Sequence, residues 1–399
     1  MKPIVKKRMI VNTQQLVDIA IIGGGLAGLS LAAELCGNAF SHLNIIVLEP
    51  RDYYKRDKTW SYWRQNPHQY SEFETANWQA WRVKDAKKSV IITAQNAQNY
   101  CYASIASDAF YNAALAKINA CSHIKLLQGE LVESLASAAG GTIIRLKSAK
   151  NILVQQAIFD SRPTQQLKQN LAQHSRSKHL TQHFLGLELV ADSAVFDINC
   201  VDLMDFQTAN HGIHFMYVLP QSSTRALIES TWICQHHQHS DYRAEISQYL
   251  AKSWPNAKFE VAYTEIGHLP LVAESAREYW LGKVQVVAIG TPAGTARAST
   301  GYAFLETLND AKRLANLLKN KQYLTTFKRP QIDAWLDTQF LTFLSRNAAN
   351  APATFVQMFS KCKPASLIRF LTGQANWRDR MAVIRSIPAF PMLMQLLNY

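Results

Sequence analysis

The stretch Asp18-Ile19-Ala20-Ile21-Ile22-Gly23-Gly24-Gly25-Leu26-Ala27-Gly28 decides how the chain is read. Its first half is a short, nearly continuous apolar run, the pattern of a strand buried on both faces of a parallel sheet. Its second half satisfies G-x-G-x-x-G. In such a turn Gly23 permits the tight bend, Gly25 lets a pyrophosphate approach the backbone, and Gly28 lets helix and strand pack closely. Leu26 to Leu35, dominated by Ala and Leu, reads as the helix that follows. Its N-terminus offers free N–H groups and the positive end of the helix dipole to phosphates. A second buried strand, Leu43 to Leu48, ends in Glu49, 24 residues after Gly25 and placed to accept ribose hydroxyls. Strand, glycine turn, helix and acid together read as a βαβ dinucleotide-binding unit. The plain alternative is a glycine-rich turn that binds nothing.

Outward from this unit the pattern changes. From Arg51 to Trp81 the chain is rich in Tyr, Trp, Lys and Gln, and regular periodicity is lost. Ala106 to Ile118 reads as a helix. Ile124 to Leu127, Ile143 to Leu146 and Ala157 to Phe159 read as strands, Lys168 to Ser177 as a polar loop, and Phe184 to Val190, Phe215 to Leu219 and Arg225 to Ile233 as further strands. Val284 to Ile289 is another continuous apolar strand. It delivers Gly290 and a turn carrying Gly294, Ser299, Thr300 and Gly301. From Tyr302 the pattern is helical, with Leu305, Leu308, Leu314, Leu317 and Leu318 at helix spacing.

One glycine motif, followed by a large β-rich insertion before the late strand, favours FAD over a simple nicotinamide dehydrogenase. The N-terminus of the helix beginning near Tyr302 is then a second anion or carbonyl site, suited to the flavin end. The expected fold is α/β: a Rossmann-like FAD-binding domain of the flavin monooxygenase type, with an inserted β-rich substrate domain and a helical C-terminal region. The expected boundaries are 15–65, 103–165 and 280–325 for the first, 66–102 and 166–279 for the second, and 326–399 for the third.

Composition narrows the function classes. The chain has 399 residues, 48% hydrophobic and 18% charged, which excludes a disordered, collagen-like or coiled-coil protein. No apolar run approaches the ~18 residues of a spanning helix. Lys plus Arg exceed Asp plus Glu by 42 to 29, a balance of +13. That charge is scattered, and no basic helix interleaved with aromatics stands out, so no nucleic-acid partner is expected. The 17 Phe, 15 Tyr and 9 Trp make a lipid surface the more interesting partner. The six cysteines, Cys36, Cys101, Cys121, Cys200, Cys234 and Cys362, have no framework or C-x-x-C spacing, which fits a reducing cytosol. Met1 to Ile10 is basic without an apolar h-region, so no secretory signal is read. His236, His237 and His239 would need ligands from elsewhere to hold a metal, and an exposed polar loop is the simpler reading; no metal is expected.

The residues converge on a family. The chain resembles the flavin-dependent lycopene cyclases of the bacterial lycopene β-cyclase type, over most of its length. The resemblance rests on Asp18 to Gly28, Lys58-Thr-Trp-Ser-Tyr-Trp63, Phe159-Asp-Ser-Arg162, Gln182-His-Phe-Leu-Gly186, Leu203-Met-Asp-Phe206, Tyr217-Val-Leu-Pro220, Leu227-Ile-Glu-Ser-Thr231, Gly267-His-Leu-Pro270 and Ser299-Thr-Gly-Tyr302, in that order. A generic flavin monooxygenase would share the glycine motif but usually shows Gly-Asp where this chain has Gly290-Thr291.

The resemblance implies an intramolecular lyase or isomerase of carotenoid biosynthesis. A proton adds to the terminal double bond of a linear C40 polyene, the neighbouring double bond attacks the resulting cation, and loss of a ring proton leaves a β-ionone ring at each end. It also implies reduced FAD, with NADPH as electron source, although no electrons leave in the product. Such a pocket needs a neutral acid among apolar groups, because burial disfavours the charged carboxylate. Glu229 is the candidate acid. The family motif often carries a second acid directly after it. Here that position is Ser230, so a mechanism sharing a proton between adjacent carboxylates finds no second acid there. The reading of Glu229 from pattern alone is an outward-facing strand residue.

For the cofactor, the candidates are Gly23, Gly25, Gly28, Glu49, Arg162, Gly290, Thr300 and Gly301. For the polyene they are Trp60, Trp63, Thr231 and Tyr302, with Tyr62, Trp78 and Trp81 as further aromatics that either line the tunnel or pack the core. Lycopene and other linear carotenoids are drawn from a bilayer, so a cytoplasmic protein attached peripherally to the inner membrane is expected. Ser366 to Leu371 and Phe390 to Leu397 are the candidate contacts, with ordinary core helices as the alternative. Rival readings are a flavin monooxygenase or prenyl-chain reductase on the same fold, and a carotenoid carrier without activity.

Overall fold

The computed structural model describes residues 15–163, 180–235, 241–272 and 275–387. The segment Met1 to Ile10, the polar loop Lys168 to Ser177, the His236, His237 and His239 cluster and the segment Phe390 to Leu397 lie outside the described residues. The opening stretch forms the strand Gln15–Ile22, the helix Leu26–Glu34 and, after a short turn, the strand Ile45–Glu49. Its parallel sheet runs Ile124–Gln128, Ile45–Glu49, Gln15–Ile22, Asn151–Asp160 and Val284–Ala288, with Tyr279–Leu281 added antiparallel at one edge. The helices Leu26–Glu34, Ser107–Asn119 and Phe304–Lys319 cover one face of it, and Val132, Ile144 and Leu146 of an antiparallel hairpin cover the other. Burial on both faces is why these strands read as unbroken apolar runs. The strand Asn151–Asp160 is longer than its apolar core suggests, because exposed Gln155 and Gln156 interrupt the run. Chain order reverses beside Gln15–Ile22, so the glycine turn sits at the switch point where open α/β sheets bind ligands.

The second sheet has seven strands in the order Phe259–Leu271, Leu180–Ala191, Arg225–Cys234, Ile213–Ser222, Cys200–Phe206, Ala80–Lys84 and Ser89–Thr93. Its back is sealed by the helix Tyr242–Ser253, with Ile246 and Tyr249 packed on Leu185, Met216 and Ile228. Its front faces the C-terminal helices Gln331–Arg346, Ala351–Lys361, Pro364–Leu371 and Trp377–Ser386 through one large core.

The aromatic segment without periodicity contains a strand after all. Thr59–Arg64 pairs antiparallel with Cys101–Ala106, which also pairs with Ala76–Trp78. Trp60 and Tyr62 pack towards the parallel-sheet core, while Trp63 packs into the core of the second sheet. Aromatics on both sides of the strand erase the polar/apolar alternation by which a half-buried strand is recognised.

Candidate active site

Backbone geometry explains the glycine turn. Gly23 has a φ of 96°, in the region that favours glycine, and a Cβ on Gly28 would collide with the Gly23 carbonyl oxygen. A Cβ on Gly25 would meet nothing within 4 Å, so the turn is open at the helix N-terminus, where no side chain caps the free amides. Glu49 is buried beside it. Its Oε2 accepts from the Gly24 amide at 2.6 Å, and its Oε1 accepts from Arg51 Nε at 2.8 Å. An open amide turn with a buried acid alongside fits the pyrophosphate and ribose of a dinucleotide.

Across the turn lies the late loop. Gly290 has a φ of 69°, and its hypothetical Cβ lies 2.8 Å from Ala27, so the loop touches the glycine-turn helix. Arg162 follows Ser161, whose side chain a Cβ on Gly23 would strike, so it lies at the glycine-turn end of the strand Asn151–Asp160. It is ion-paired to Asp160 at 2.8 Å, donates to the Val132 carbonyl at 3.0 Å and, like Gly23, Gly25, Gly28 and Glu49, does not line the central cavity.

The loop Arg297 to Tyr302 is held from below. Arg297 Nη2 donates to Asp337 Oδ1 at 2.9 Å, and Ser299 Oγ donates to the same oxygen at 2.7 Å. Both members of the Arg297–Asp337 pair are fully buried, and the guanidinium lies 4.3 Å from the Phe370 ring. The loop closes on itself, with the Gly301 amide donating to the Arg297 carbonyl at 2.7 Å. Gly301 has a φ of 73°, and a Cβ there would come 2.7 Å from Leu269, so only glycine fits against the second sheet. The helix begins at Phe304, two residues later than its leucine spacing suggests.

Between this loop, the second sheet and the C-terminal helices is a cavity of about 330 Å³, within the range of small-molecule sites. Trp60, Trp63, Thr231, Tyr302, Thr300, Gly301 and Glu229 all line it. Trp63 packs on Tyr102 at 4.7 Å and on Tyr302 at 5.0 Å, and its indole N–H has no partner. The Thr231 hydroxyl, also buried, has none either. Tyr102 and Tyr217 share a hydrogen bond of 2.7 Å, which leaves a small polar patch in an otherwise apolar wall. Tyr62, Trp78 and Trp81 do not reach the cavity. Tyr62 stacks on Phe304 at 4.7 Å, Trp78 donates to the Pro220 carbonyl at 2.9 Å, and Trp81 is core.

Glu229 faces inward, not outward. The ladder places Gly186 directly opposite Glu229 on one side and Glu265 on the other, so all three share the front face of the sheet. The glycine is what allows the two acids to meet. A Cβ on Gly186 would sit 3.0 Å from Glu265 Cγ and 3.1 Å from Glu229 Cγ. Across that gap the two carboxyls are hydrogen-bonded to each other.

Burial and the neighbouring Glu265 charge push the Glu229 carboxyl well above the usual carboxylate range. Glu265 is also pushed up by burial, but Thr59 Oγ1 donates to its Oε2 at 2.9 Å and Arg56 faces it, and both favour its charged form. Of the two, Glu229 is therefore the member whose surroundings more strongly favour the protonated form.

Sequence reasoning looked for a second acid at position 230 and missed Glu265. Neighbouring strand residues face opposite ways. Ser230 points to the back of the sheet, where its hydroxyl donates to Glu245 and bonds His214 Nε2 at 2.9 Å. No residue at 230 could share a proton with Glu229. The local signal for Glu265 was only that it precedes Gly267-His-Leu-Pro270 on an edge strand. Among the described residues no group of His, Cys, Asp and Glu is arranged to hold a metal.

The family described as lycopene cyclase protein matches residues 18–397. Over 233 residues the chain is 27% identical to a lycopene beta-cyclase of Paracoccus sp. (strain N81106 / MBIC 01143), covering 54% of this chain and 59%, less than two thirds, of that relative. Similar solved structures include a geranylgeranyl bacteriochlorophyll reductase-like protein of Thermoplasma acidophilum, at 11% identity and a TM-score of 0.59 over 96% of this chain and 99% of that one. A flavoprotein/dehydrogenase of Cytophaga hutchinsonii reaches 0.60 at 11% identity, over 96% and 100%. A flavin-dependent brominase reaches 0.58 at 11% identity, over 93% and 98%. At such identities the likeness is one of fold, and the flavin monooxygenase type of α/β fold is the one these proteins share.

Proposed function

The chain belongs to the lycopene cyclase family, and from that premise we propose that it closes both ψ ends of lycopene to β-ionone rings, giving β-carotene without net redox change. The observation that carries this reading is Glu229, buried in an aromatic cavity whose surroundings favour its neutral form. An alkene is a poor base, and a carboxyl kept neutral by its surroundings is an acid able to protonate one. Trp63, Tyr302 and Phe304 offer ring faces to a transient cation, and the apolar lining excludes water that would capture it.

FAD is the proposed cofactor. Gly23, Gly25 and Gly28 with Glu49 would hold its pyrophosphate and ribose, and Gly290 with the Thr300 and Gly301 loop would hold its flavin end. Bound in reduced form, with NADPH as reductant, the flavin supplies anionic charge to an apolar site, which stabilises a cation. The deciding experiment is expression in cells that accumulate lycopene, followed by pigment extraction. β-Carotene is the expected product. Lycopene returned unchanged by a folded, flavin-loaded protein would sink the cyclase reading. A saturated or oxygenated product formed with stoichiometric NADPH would favour a reductase or monooxygenase, and bound but unaltered lycopene a carrier.

The substrate is a hydrocarbon, so the protein is proposed to lie on a membrane surface, peripherally at the inner leaflet. Among the described residues no helix is long and apolar enough to cross a bilayer. Ser366 to Leu371 is the poorer candidate, because its Leu367, Ile368 and Leu371 are buried in the core where the helix packs on Trp377–Ser386 and on the turn Gln95–Ala97. Trp377, Met381 and Ile384 instead form an exposed stripe on the helix Trp377–Ser386, at 67%, 38% and 41% exposure, with Arg378 and Arg385 exposed beside it. Their spacing puts them on one helix face. Ile384 also lines the cavity, so the stripe is continuous with a route inward. The triple variant Trp377→Ser, Met381→Ser, Ile384→Ser is expected to bind anionic vesicles at least about 10-fold more weakly in flotation, since each apolar side chain contributes up to ~1.5–3 kcal/mol when fully buried. Undiminished flotation would remove the stripe from this role.

A further inference from the structure

Resting on that reading of the reaction, we infer that Glu265 is a second catalytic residue, the base that takes the ring proton and passes it back to Glu229. The geometry is that of an acid and its conjugate base in one site. Both carboxyls line the cavity, and they meet over the space left by Gly186. Their surroundings differ in a way that fixes the roles. Glu265 receives the Thr59 hydroxyl at 2.9 Å and faces Arg56, which is itself paired to Glu188 at 2.6 Å; Tyr263 of its own strand is its other titratable neighbour. Glu229 faces Glu265 and, from the strand Ile213–Ser222, Tyr217, neither of which is a cation. Two carboxyls whose environments differ in this way divide into an acid and a base.

The proton count closes. The Glu229 O–H bond breaks as a C–H bond forms at the terminal double bond of the polyene. The ring closes by attack of the neighbouring double bond on the cation. A ring C–H bond beside the final cation then breaks, its electron pair forming the new double bond, and an O–H bond forms on Glu265. The shared proton crosses the hydrogen bond to Glu229, and the pair is ready for the other end of the molecule. No proton from solvent and no electron is required.

The test compares Glu265→Gln with Glu229→Gln, reading both the pigments and the infrared carbonyl band of a protonated carboxyl. In the unaltered protein that band is expected to persist at neutral pH. Glu265→Gln removes the like charge beside Glu229, so the band should titrate at lower pH, and the alkaline limb of the cyclisation profile should move down with it. The rate should fall by about 10²- to 10⁴-fold, with partial recovery in Glu265→Asp and lycopene binding retained. A residue that acted only through its charge would move the band and the limb but leave the rate intact at pH values where Glu229 is still protonated, so the fall in rate there, with recovery in Glu265→Asp, is what marks the base. Wild-type cyclisation by Glu265→Gln, or an unmoved band, overturns the inference. If Glu265→Gln does not fold, Thr59→Val carries the test. Losing that donor raises the base's pKa, so the acid limb should move to higher pH, and an unmoved limb counts against the pair. Failure of the unaltered chain to form any ring would instead sink the cyclase reading, a result distinct from all of these.

Discussion

Glu229→Gln is expected to lower ring formation by about 10²- to 10⁴-fold, the usual contribution of a positioned general acid, while flavin binding is unchanged. The amide keeps the volume of the acid and can still donate towards Glu265, so the packing around Gly186 survives. What is lost is the transferable proton. Pigment analysis measures the first part, and flavin absorbance of the purified protein the second. The same variant is expected to melt at a higher temperature than its parent at neutral pH. The sign follows from proton linkage. Burial and Glu265 raise the Glu229 pKa in the folded protein above its unfolded value. Between those two values the folded state binds more protons, so the parent loses stability as pH rises through that window. Glutamine does not titrate. The stability gap between variant and parent should therefore be small below about pH 4, the ordinary carboxyl range, and widen as pH rises. A gap that does not change with pH would mean that Glu229 is not held protonated.

Asp337→Ala is expected to destabilise the protein by about 3–5 kcal/mol, because it strands a buried arginine. Arg297 and Ser299 both depend on that carboxylate, and Arg297 Nη1 already lacks a partner. Against a typical total of ~5–15 kcal/mol this is a large fraction, and thermal or urea unfolding measures it. The effect should reach function as well. Asp337 anchors the loop that carries Thr300, Gly301 and Tyr302, so affinity for flavin should fall in whatever fraction stays folded. Replacing the pair together, Arg297→Met with Asp337→Leu, should recover much of the stability. If the single variant lost less than about 1 kcal/mol, in the range of an exposed ion pair, the anchoring role would be wrong.

The parallel sheet was legible because helices and a hairpin bury both faces, which writes its strands as apolar runs, and because Gly23, Gly25, Gly28 and Glu49 are close in sequence. Glu229 was marked by the resemblance, since one acid in an apolar strand reads on pattern alone as outward-facing. Its partner was not, since Phe259–Leu271 is an edge strand with exposed Glu260, Val261 and Ile266, and nothing near Glu265 announces burial. The pairing exists only after Leu180–Ala191 is inserted between the two acids, a fact of sheet order and not of spacing. The proposed membrane stripe was hidden in the sequence for a similar reason. Ser366 to Leu371 is the more apolar segment, and it is buried for that reason, whereas Trp377, Met381 and Ile384 are diluted by Arg378, Asp379 and Arg380. Asp379 and Arg380 are turned inward, to Arg369 and Asp333.

The sheet that holds the glycine turn is completed late. Val284–Ala288 pairs with Asn151–Asp160 beside Gln15–Ile22, and the loop it delivers is the wall opposite the helix N-terminus. A ribosome adding about 5–20 residues per second needs roughly a quarter of a minute to a minute to travel from the first of these strands to the last. During that interval the emerging chain offers an unfinished sheet edge and half a cofactor cradle. If the cradle holds FAD as proposed, its capture belongs to the end of synthesis, and a cell short of riboflavin should accumulate this protein as full-length, protease-sensitive chains and not as stalled halves.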